Sequence, residues 1–331
     1  TKDQDGYIPI TSCADGGNHE ANMLYLPYLA KVGLKHKVGG EHGRGGLIVG
    51  DNAGFNALIN CAFNDKYSHE VMKVLMKMDP PLFKKEDVSN YALIHNSVIS
   101  ATNCNDMVAL DFYIDLDPSG LFQQASNGCY PITDAKDRID IAQYVLKKAL
   151  KYDPHHPSIG GLISTCENGT SLLQHFITKF GRKRTWDMLE KEISPYKNIP
   201  ILHQMINCAP KETEEVTKRF PHALFLRDVN NRLPVHVALE KGIRWSNGLN
   251  SIIYANMEHL NDKDPITGYF PFALAAKEPR CDLRTINYLL RMHPGQIQSG
   301  IGNTRKKKKN KDDDSNNDND NHGHSKRRRI E

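Results

Sequence analysis

The sequence predicts an all-α protein: a solenoid of about eight helical repeats over residues 3–300, followed by a disordered charged tail over residues 301–331. Three observations lead to this prediction. A turn-and-proline motif recurs along the chain, a second set of prolines keeps register with the first, and the C-terminal segment has almost no aliphatic residues. With 331 residues, of which 39% are hydrophobic, the chain before the tail can bury an extensive core.

The recurring motif is a turn residue, two further residues, a proline, and then an aliphatic or aromatic residue. Glycine and asparagine accept the positive φ of a tight turn, and proline suits the first position of a helix. Four copies are clear (residues 6–10, 128–132, 231–235 and 268–272) and four are looser (54–58, 90–94, 169–173 and 198–202). The copies recur about every 37 residues. The repeats therefore begin near residues 5, 53, 89, 127, 168, 197, 230 and 267.

A second set of prolines marks the end of each repeat. Pro80, Pro154, Pro195 and Pro294 each follow a first-set position by 23 residues, and Pro118 and Pro221 follow theirs by 25 and 20. Because proline cannot continue a helix, these residues predict where a second, longer amphipathic helix stops. Each repeat is therefore expected to be a pair of helices.

A small residue follows the proline position by four residues in six copies: Cys13, Cys61, Ser97, Ala135, Ala238 and Ala275. Small side chains at this position would let a neighbouring helix approach closely. One helix pair cannot bury its apolar face alone, whereas stacked pairs can. The pattern therefore favours stacked repeats over a set of independent domains.

The segment 230–238, N-N-R-L-P-V-H-V-A, resembles the ankyrin-repeat signature D-G-x-T-P-L-H-x-A. The following L-E-K-G is similar to the end of the first helix in that family. His95 and His203 also occupy the histidine position, whereas the threonine position carries Ile8, Tyr130, Leu233 or Phe270. The resemblance implies a protein–protein interaction scaffold that has no enzymatic activity and binds a protein partner on its concave surface.

In the ankyrin family the residue at the turn contacts partners, as does the exposed face of the first helix. Carried over to this sequence, the resemblance implies candidate partner-binding residues at Tyr7, Phe55, Tyr91, Arg232 and Tyr269. Tyrosine and arginine are enriched in interfaces, which favours this role. The alternative is that the aromatic residues pack across the turns onto the next repeat. An exposed Arg232 would contribute little to stability.

No catalytic, metal or cofactor site is predicted. The seven cysteines are odd in number and contain no C-x-x-C pair, which indicates reduced thiols of an intracellular protein. The glycine-rich segment 39–50 lacks the G-K-[ST] ending of a phosphate-binding loop, so we interpret it as a loop insertion. His95, His203 and His236 are expected to make capping hydrogen bonds.

Positive charge is concentrated in two places. The body has one dense basic patch at residues 179–184, interpreted as a solvated helix end or as a contact for an acidic partner or phosphates. Residues 303–331 hold ten basic and six acidic residues, which accounts for the net charge of +4 and leaves the body neutral. A neutral body gives no net electrostatic reason for nucleic-acid binding there.

The basic residues of the tail form two clusters. Such clusters are typical of nuclear-localisation signals recognised by an import receptor, of nucleic-acid contacts, or of a solubilising end. The candidate nuclear-localisation residues are Arg305, Lys306, Lys307, Lys308, Lys309, Lys311, Lys326, Arg327, Arg328 and Arg329. The protein is therefore expected in the nucleus, or otherwise in the cytoplasm, with no membrane association.

Two alternative functions stay open at the level of sequence. The protein could be a nuclear, nucleic-acid-associated factor that binds through its basic tail. It could also be the targeting region of a larger multidomain protein, since the sequence starts at Thr1 and not at a methionine, which suggests a fragment. The identity of a partner is not specified by the repeat pattern, because solenoid surfaces bind many unrelated ligands.

Overall fold

The computed structural model describes residues 8–14, 19–38, 93–105, 107–164 and 171–292, together with positions 2, 4, 46, 49–50, 52 and 56–57. Within these residues every regular element is a helix and no strand occurs. The predicted all-α class is therefore confirmed. None of the described helices is both long enough and apolar enough to cross a bilayer.

Thirteen α-helices occur in the described part of the chain. They are α1 (Pro9–Ala14), α2 (His19–Lys35), α3 (Leu93–Cys104), α4 (Val108–Leu116), α5 (Ile139–Tyr152), α6 (Leu172–Phe180), α7 (Arg182–Ile193), α8 (Ile201–Cys208), α9 (Thr213–Arg219), α10 (Pro234–Glu240), α11 (Leu249–Ala255), α12 (Pro271–Lys277) and α13 (Leu283–Met292). Short 3-10 helices lie at Pro118–Phe122, Pro131–Ala135, Pro210–Glu212, Pro221–Leu224, Trp245–Asn247 and Met257–Asn261.

In each predicted repeat whose first helix is described, that helix begins at the proline position of the motif. Proline occupies this position in α1, α10, α12 and the 3-10 helix Pro131–Ala135, where its fixed φ and missing N–H cost nothing. The looser copies keep the same start with another residue, at Leu93, Leu172 and Ile201. Helix initiation therefore follows the motif even where proline is absent.

The second set of prolines stops helices as predicted. Helices α4, α5, α7 and α9 each end two residues before one of these prolines. The clash of a proline ring with the preceding backbone accounts for this spacing. The prolines concerned are Pro118, Pro154, Pro195 and Pro221, while Pro80 and Pro294 lie outside the described residues.

The second helix is not always the longer one, which differs from the expectation. In the repeat that starts near residue 89, α3 has 12 residues and α4 has nine. In the two repeats that start near residues 197 and 230, part of the second segment is a 3-10 helix, at Pro210–Glu212 and Trp245–Asn247, which shortens α9 and α11 to seven residues.

Helices contact one another both within a predicted repeat and between successive predicted repeats. Within repeats, α6 packs on α7, α8 on α9, α10 on α11, and α12 on α13. Between repeats, α8 contacts α10, α10 contacts α12, and α9 contacts α11. First helices thus pack on first helices and second helices on second helices, with one continuous apolar core between them.

The position four residues after each helix start lies in this core. Ser97, Ala135, Ala238 and Ala275 are almost completely buried, as are the larger Phe176 and Met205. Close packing leaves no space for added atoms at such sites. The small residues predicted from the motif are therefore core residues.

Candidate partner-binding surface

Three described turns that lead into first helices are closed in a similar way, although the third is one residue longer. Each is closed by a backbone hydrogen bond, from Ala125 N to Cys129 O (2.9 Å), Asp228 N to Arg232 O (3.0 Å), and Asp264 N to Tyr269 O (2.9 Å). The motif's turn residue takes a positive φ in all three, with 76° at Gly128, 60° at Asn231 and 71° at Gly268. Asparagine tolerates this conformation better than other residues with a side chain, which explains its place in the motif.

Buried histidines join three of the described first helices, α3, α8 and α10, to the chain beyond them. The Nε2 atom of His203 lies 2.9 Å from the carbonyl of Arg232, and Nε2 of His236 lies 3.0 Å from that of Asp262. His95 lies similarly, with Nε2 3.0 Å from the carbonyl of Gln123. In this position the rings hold successive repeats together.

The ring of His236 also accepts a hydrogen bond at Nδ1 from the backbone N–H of Leu233, at 3.2 Å, which is the expected cap of its own helix. Nε2 must then carry the proton that is donated to the backbone carbonyl of Asp262. Burial lowers the pKa of both His203 and His236 below that of a free histidine. The neutral rings are therefore the forms that fit the structure.

Arg232 is buried, which differs from the expectation of an exposed binding residue. Only 6% of it is exposed, and its Nε donates to Oδ1 of Asp264 at 2.9 Å. Another guanidinium nitrogen pairs with Glu240. The side chain joins its own turn to the turn of the next repeat, so it is not available to a partner. The ankyrin-like motif marked the turn correctly but carried no information on the direction of this side chain.

Asp264 is the other half of this connection and is fully buried. Its second oxygen, Oδ2, accepts hydrogen bonds from the N–H and hydroxyl of Thr267. Burial alone would raise the pKa of Asp264, but the bonds from Thr267 and the charge of Arg232 outweigh it and hold the pKa below its usual range. The turn that presents Tyr269 is therefore held rigidly from inside.

Tyr269 is exposed, in line with the prediction for this position. It is 42% exposed, and Nζ of Lys277 lies 5.2 Å from the centre of its ring. The cation is attracted to the face of the ring, and the residue still exposes much of its surface. An aromatic ring in this setting is suited to contact a partner.

Two further exposed apolar residues lie at the same turns and were not identified from the sequence. Val229 is completely exposed and Ile266 is 60% exposed. Each precedes the proline position of its repeat by five residues, so they occupy the same place in successive turns. An apolar residue beside the polar turn residues was the signal that could have found them.

A surface groove lies between the turn at 125–129, the loop after α5, and the end of α8. Its volume is about 580 Å³. The ring of His156 stacks on Phe122 at 4.4 Å, and its Nδ1 lies 2.7 Å from Oγ of Ser158. The lining residues include Gln124, Tyr130, His156, Ser164 and Cys208, and none of the groove's lining residues is acidic.

The serine and histidine in the groove form a local loop contact. Oγ of Ser158 also accepts a hydrogen bond from the N–H of Gly161 at 2.9 Å, and the residue is buried. A hydroxyl engaged in this way stabilises the turn at 158–161. Among the described residues no three His, Cys, Asp or Glu side chains are placed to hold a metal ion. Cys208 and Cys281 are free thiols.

The other predicted site residues lie outside the described part of the chain. This applies to Tyr7, Phe55 and Tyr91 among the turn residues. It applies also to both basic clusters of the tail, from Arg305 to Lys311 and from Lys326 to Arg329. The roles of these residues stay predictions from the sequence.

The sequence was compared with protein-family models and with curated proteins, and no match was found in either comparison.

Proposed function

We propose that the chain is a divergent ankyrin-like solenoid that acts as a non-catalytic scaffold for a protein partner. The contacts of first helices with first helices and of second helices with second helices support this architecture. The coincidence of the motif with every described first-helix start supports it independently.

The observation that carries the functional proposal is the exposure of apolar side chains on rigid turns. Val229, Ile266 and Tyr269 extend from two successive turns that the buried pair of Arg232 and Asp264 ties together. Exposed apolar residues on a preorganised backbone lose little conformational entropy on binding. They are therefore suited to anchor a partner, and we call Val229, Ile266 and Tyr269 the tip residues.

We include the groove beside Tyr130 and His156 in the proposal as a second contact surface. It offers aromatic rings together with amide, hydroxyl and thiol groups, which suits the backbone and side chains of a bound peptide. A partner that contacts both the tip residues and the groove would gain specificity from the polar groups and affinity from the apolar ones.

Selection from a displayed peptide library tests this proposal. The full chain is expected to enrich a peptide family, and replacing all three tip residues with serine is expected to abolish its binding. The matched control replaces Tyr254, Met257 and Leu283, which are also exposed apolar residues, with serine. Equal loss in both variants, or no enrichment at all, would count against a binding surface at the turns.

For the tail we propose a role in nuclear import, on the strength of its two basic clusters. Segments rich in Asp, Asn, Ser and Lys cannot bury a core, so we expect the basic side chains there to be accessible to a receptor. The nuclear proposal is independent of the binding surface and is tested separately.

A further inference from the structure

The loops that join first to second helices in the last five repeats lie side by side along one edge of the molecule. We call this the loop edge and define it as residues 136–138, 179–184, 209–214, 241–248 and 277–282. It contains eleven lysines and arginines and five acidic residues. The body of the chain is neutral, so this excess of basic over acidic residues means that positive charge is concentrated on the loop edge.

Direct contacts join each of these loops to the next. Lys179 pairs with Asp137, and Nη1 of Arg182 donates to Oε2 of Glu212 at 2.7 Å. Gly248 approaches so closely to Thr213 that a Cβ atom there would lie 2.8 Å from the threonine Cβ. The loops therefore form one continuous row from residue 136 to residue 248.

The row continues into the last repeat. A Cβ atom on Gly242 would lie 2.7 Å from Cβ of Arg280, and the N–H of Trp245 donates to Oγ1 of Thr285 at 3.1 Å. Packed helices lie about 8–10 Å apart, so five adjoining loops extend over about 30–40 Å. Basic residues that are far apart in sequence are thereby placed on one surface.

Most acidic groups of the loop edge are engaged within the protein. The hydrogen bond from Lys179 lowers the pKa of Asp137, and Glu212 is 3% exposed beneath Arg182. Glu278 accepts from Nε of Arg280 at 3.1 Å, and Asp282 accepts from the N–H of Thr285 at 2.7 Å. Glu214 is exposed and makes no such contact among the described residues.

Many of the basic groups, in contrast, have no acidic partner. Among the described residues no carboxylate lies within ion-pair distance of seven exposed cations of the loop edge: Lys136, Lys183, Arg184, Lys211, Lys241, Arg244 and Lys277. Apart from Lys277, which lies over the ring of Tyr269, these cations are therefore open to a partner. Arg184 also lies 5.9 Å from the ring centre of Phe180, which adds an apolar surface beside the charge.

The placement of Lys183 and Arg184 at the start of α7 is unfavourable for the helix. Arg182, Lys183 and Arg184 form the first turn of α7. That turn contains no acidic residue, and no side chain caps the helix. Cations are unfavourable at this end of a helix, because the macrodipole is positive there. Ion pairing within the protein accounts for Arg182 alone, so the other two cations call for a different explanation.

We propose that the loop edge binds an extended acidic segment of a partner protein. The charge complementarity and the linear shape both match such a ligand. An acidic peptide can place uncharged residues opposite Glu214 and the internal ion pairs, whereas the phosphates of nucleic acid would meet these carboxylates at fixed short intervals. Lys277 contacts the tip residue Tyr269, so this proposal rests on the other cations of the loop edge and does not depend on the function proposed above.

The test measures fluorescence anisotropy with a labelled oligoglutamate of about 12 residues, which spans about 40 Å when extended. The full chain is used, with the ten basic residues of the tail replaced by glutamine in every protein compared so that the tail contributes no binding. The patch variant is Lys183→Glu with Arg184→Glu. The matched control is Lys147→Glu with Lys218→Glu, two exposed lysines of the second helices that have no ion pair among the described residues.

The unsubstituted loop edge is expected to bind oligoglutamate. Its affinity should decrease as the salt concentration is raised from about 50 to about 300 mM. The patch variant should weaken binding by about tenfold or more, and the control by less than about twofold. Because acidic residues are favourable at a helix N-terminus, the patch variant should keep its melting temperature. If it does not fold, Lys136→Glu with Lys211→Glu takes its place and is expected to weaken binding in the same direction.

Three outcomes would overturn the proposal. The first is no measurable binding of oligoglutamate at low salt, and the second is equal weakening by the patch variant and the control. The third is tighter binding of duplex DNA of similar charge that is lost in the patch variant, which would assign the edge to nucleic acid. Serine at the three tip residues should leave oligoglutamate affinity unchanged, which separates this result from a failure of the proposed scaffold function.

Discussion

The guanidinium of Arg232 and the carboxylate of Asp264 form a buried ion pair between two successive turns, with Nε donating to Oδ1 at 2.9 Å. Their side chains are 7% and 0% exposed. Each charge compensates the other where water is excluded, so removal of one leaves the other uncompensated. The two turns that carry the tip residues are in this way coupled.

Arg232→Met is therefore expected to destabilise the protein by about 3–5 kcal/mol, because it leaves the Asp264 charge buried without its partner. The control is Arg227→Met, which removes a pair with Asp262 whose side chains are 40% and 43% exposed. That change should cost only about 0–1 kcal/mol. Urea denaturation gives both free energies of unfolding. Equal effects of the two substitutions would contradict the special role of the buried pair.

Ala238→Leu is expected to destabilise the protein by about 1–3 kcal/mol, because three carbon atoms would be added where α10 packs against its neighbours. Ala238 is completely buried. Ala276→Leu in α12 is the control, since Ala276 is exposed and a larger side chain there meets solvent. A thermal or urea unfolding series distinguishes them. Tolerance of leucine at residue 238 would mean that the repeats do not pack closely there.

Stability is expected to fall as the pH drops below about 6.5. Burial lowers the folded-state pKa of His203 and His236 from the ordinary 6.5, so the unfolded chain takes up protons first. The loss begins near the unfolded pKa and ends once the pH is below the folded pKa. Asp264, whose pKa is also lowered from 3.8, adds a separate loss only at more acidic pH.

Melting temperatures measured between pH 7.5 and 5.5 check the histidine contribution. Replacing both His203 and His236 with glutamine should lower stability at neutral pH and flatten the dependence in this range. The control is His155→Gln, which replaces an exposed histidine. The melting temperature of this variant should depend on pH as in the unchanged protein. An unaltered dependence in the double variant would assign the acid sensitivity to other groups.

A fluorescent fusion of residues 300–331 is expected to accumulate in the nucleus, because import receptors bind accessible lysine and arginine runs in acidic grooves. Alanine at Lys306–Lys309 and at Lys326–Arg329 should return the fusion to an even distribution. Pairing with the run Asp312, Asp313 and Asp314 should mask the lysines only partly, since exposed ion pairs contribute about 0–1 kcal/mol. Exclusion of the unsubstituted fusion from the nucleus would leave the tail a solubilising role alone.

The local elements were predictable because each depends on the chemistry of one or two residues. Proline lacks an N–H and has a restricted φ, so Pro234 and Pro271 begin helices, and Pro118 and Pro154 follow helix ends. Asparagine at residue 231 and glycine at residue 268 mark turns for a similar reason, since both accept a positive φ. Such constraints act on the backbone itself and need no knowledge of neighbouring repeats.

The direction and environment of the side chains were decided by the packing of one repeat on the next. Arg232 and Tyr269 occupy the same motif position, yet Arg232 is buried because the next turn presents Asp264, whereas Tyr269 is exposed beneath Lys277. The loop edge likewise combines cations from residue 136 to residue 280, which no local pattern joins. The sequence alone determined where helices start and stop, through backbone constraints. The tertiary structure decided which charges are paired and which are free, because pairing depends on contacts between residues about 30–40 positions apart in the chain.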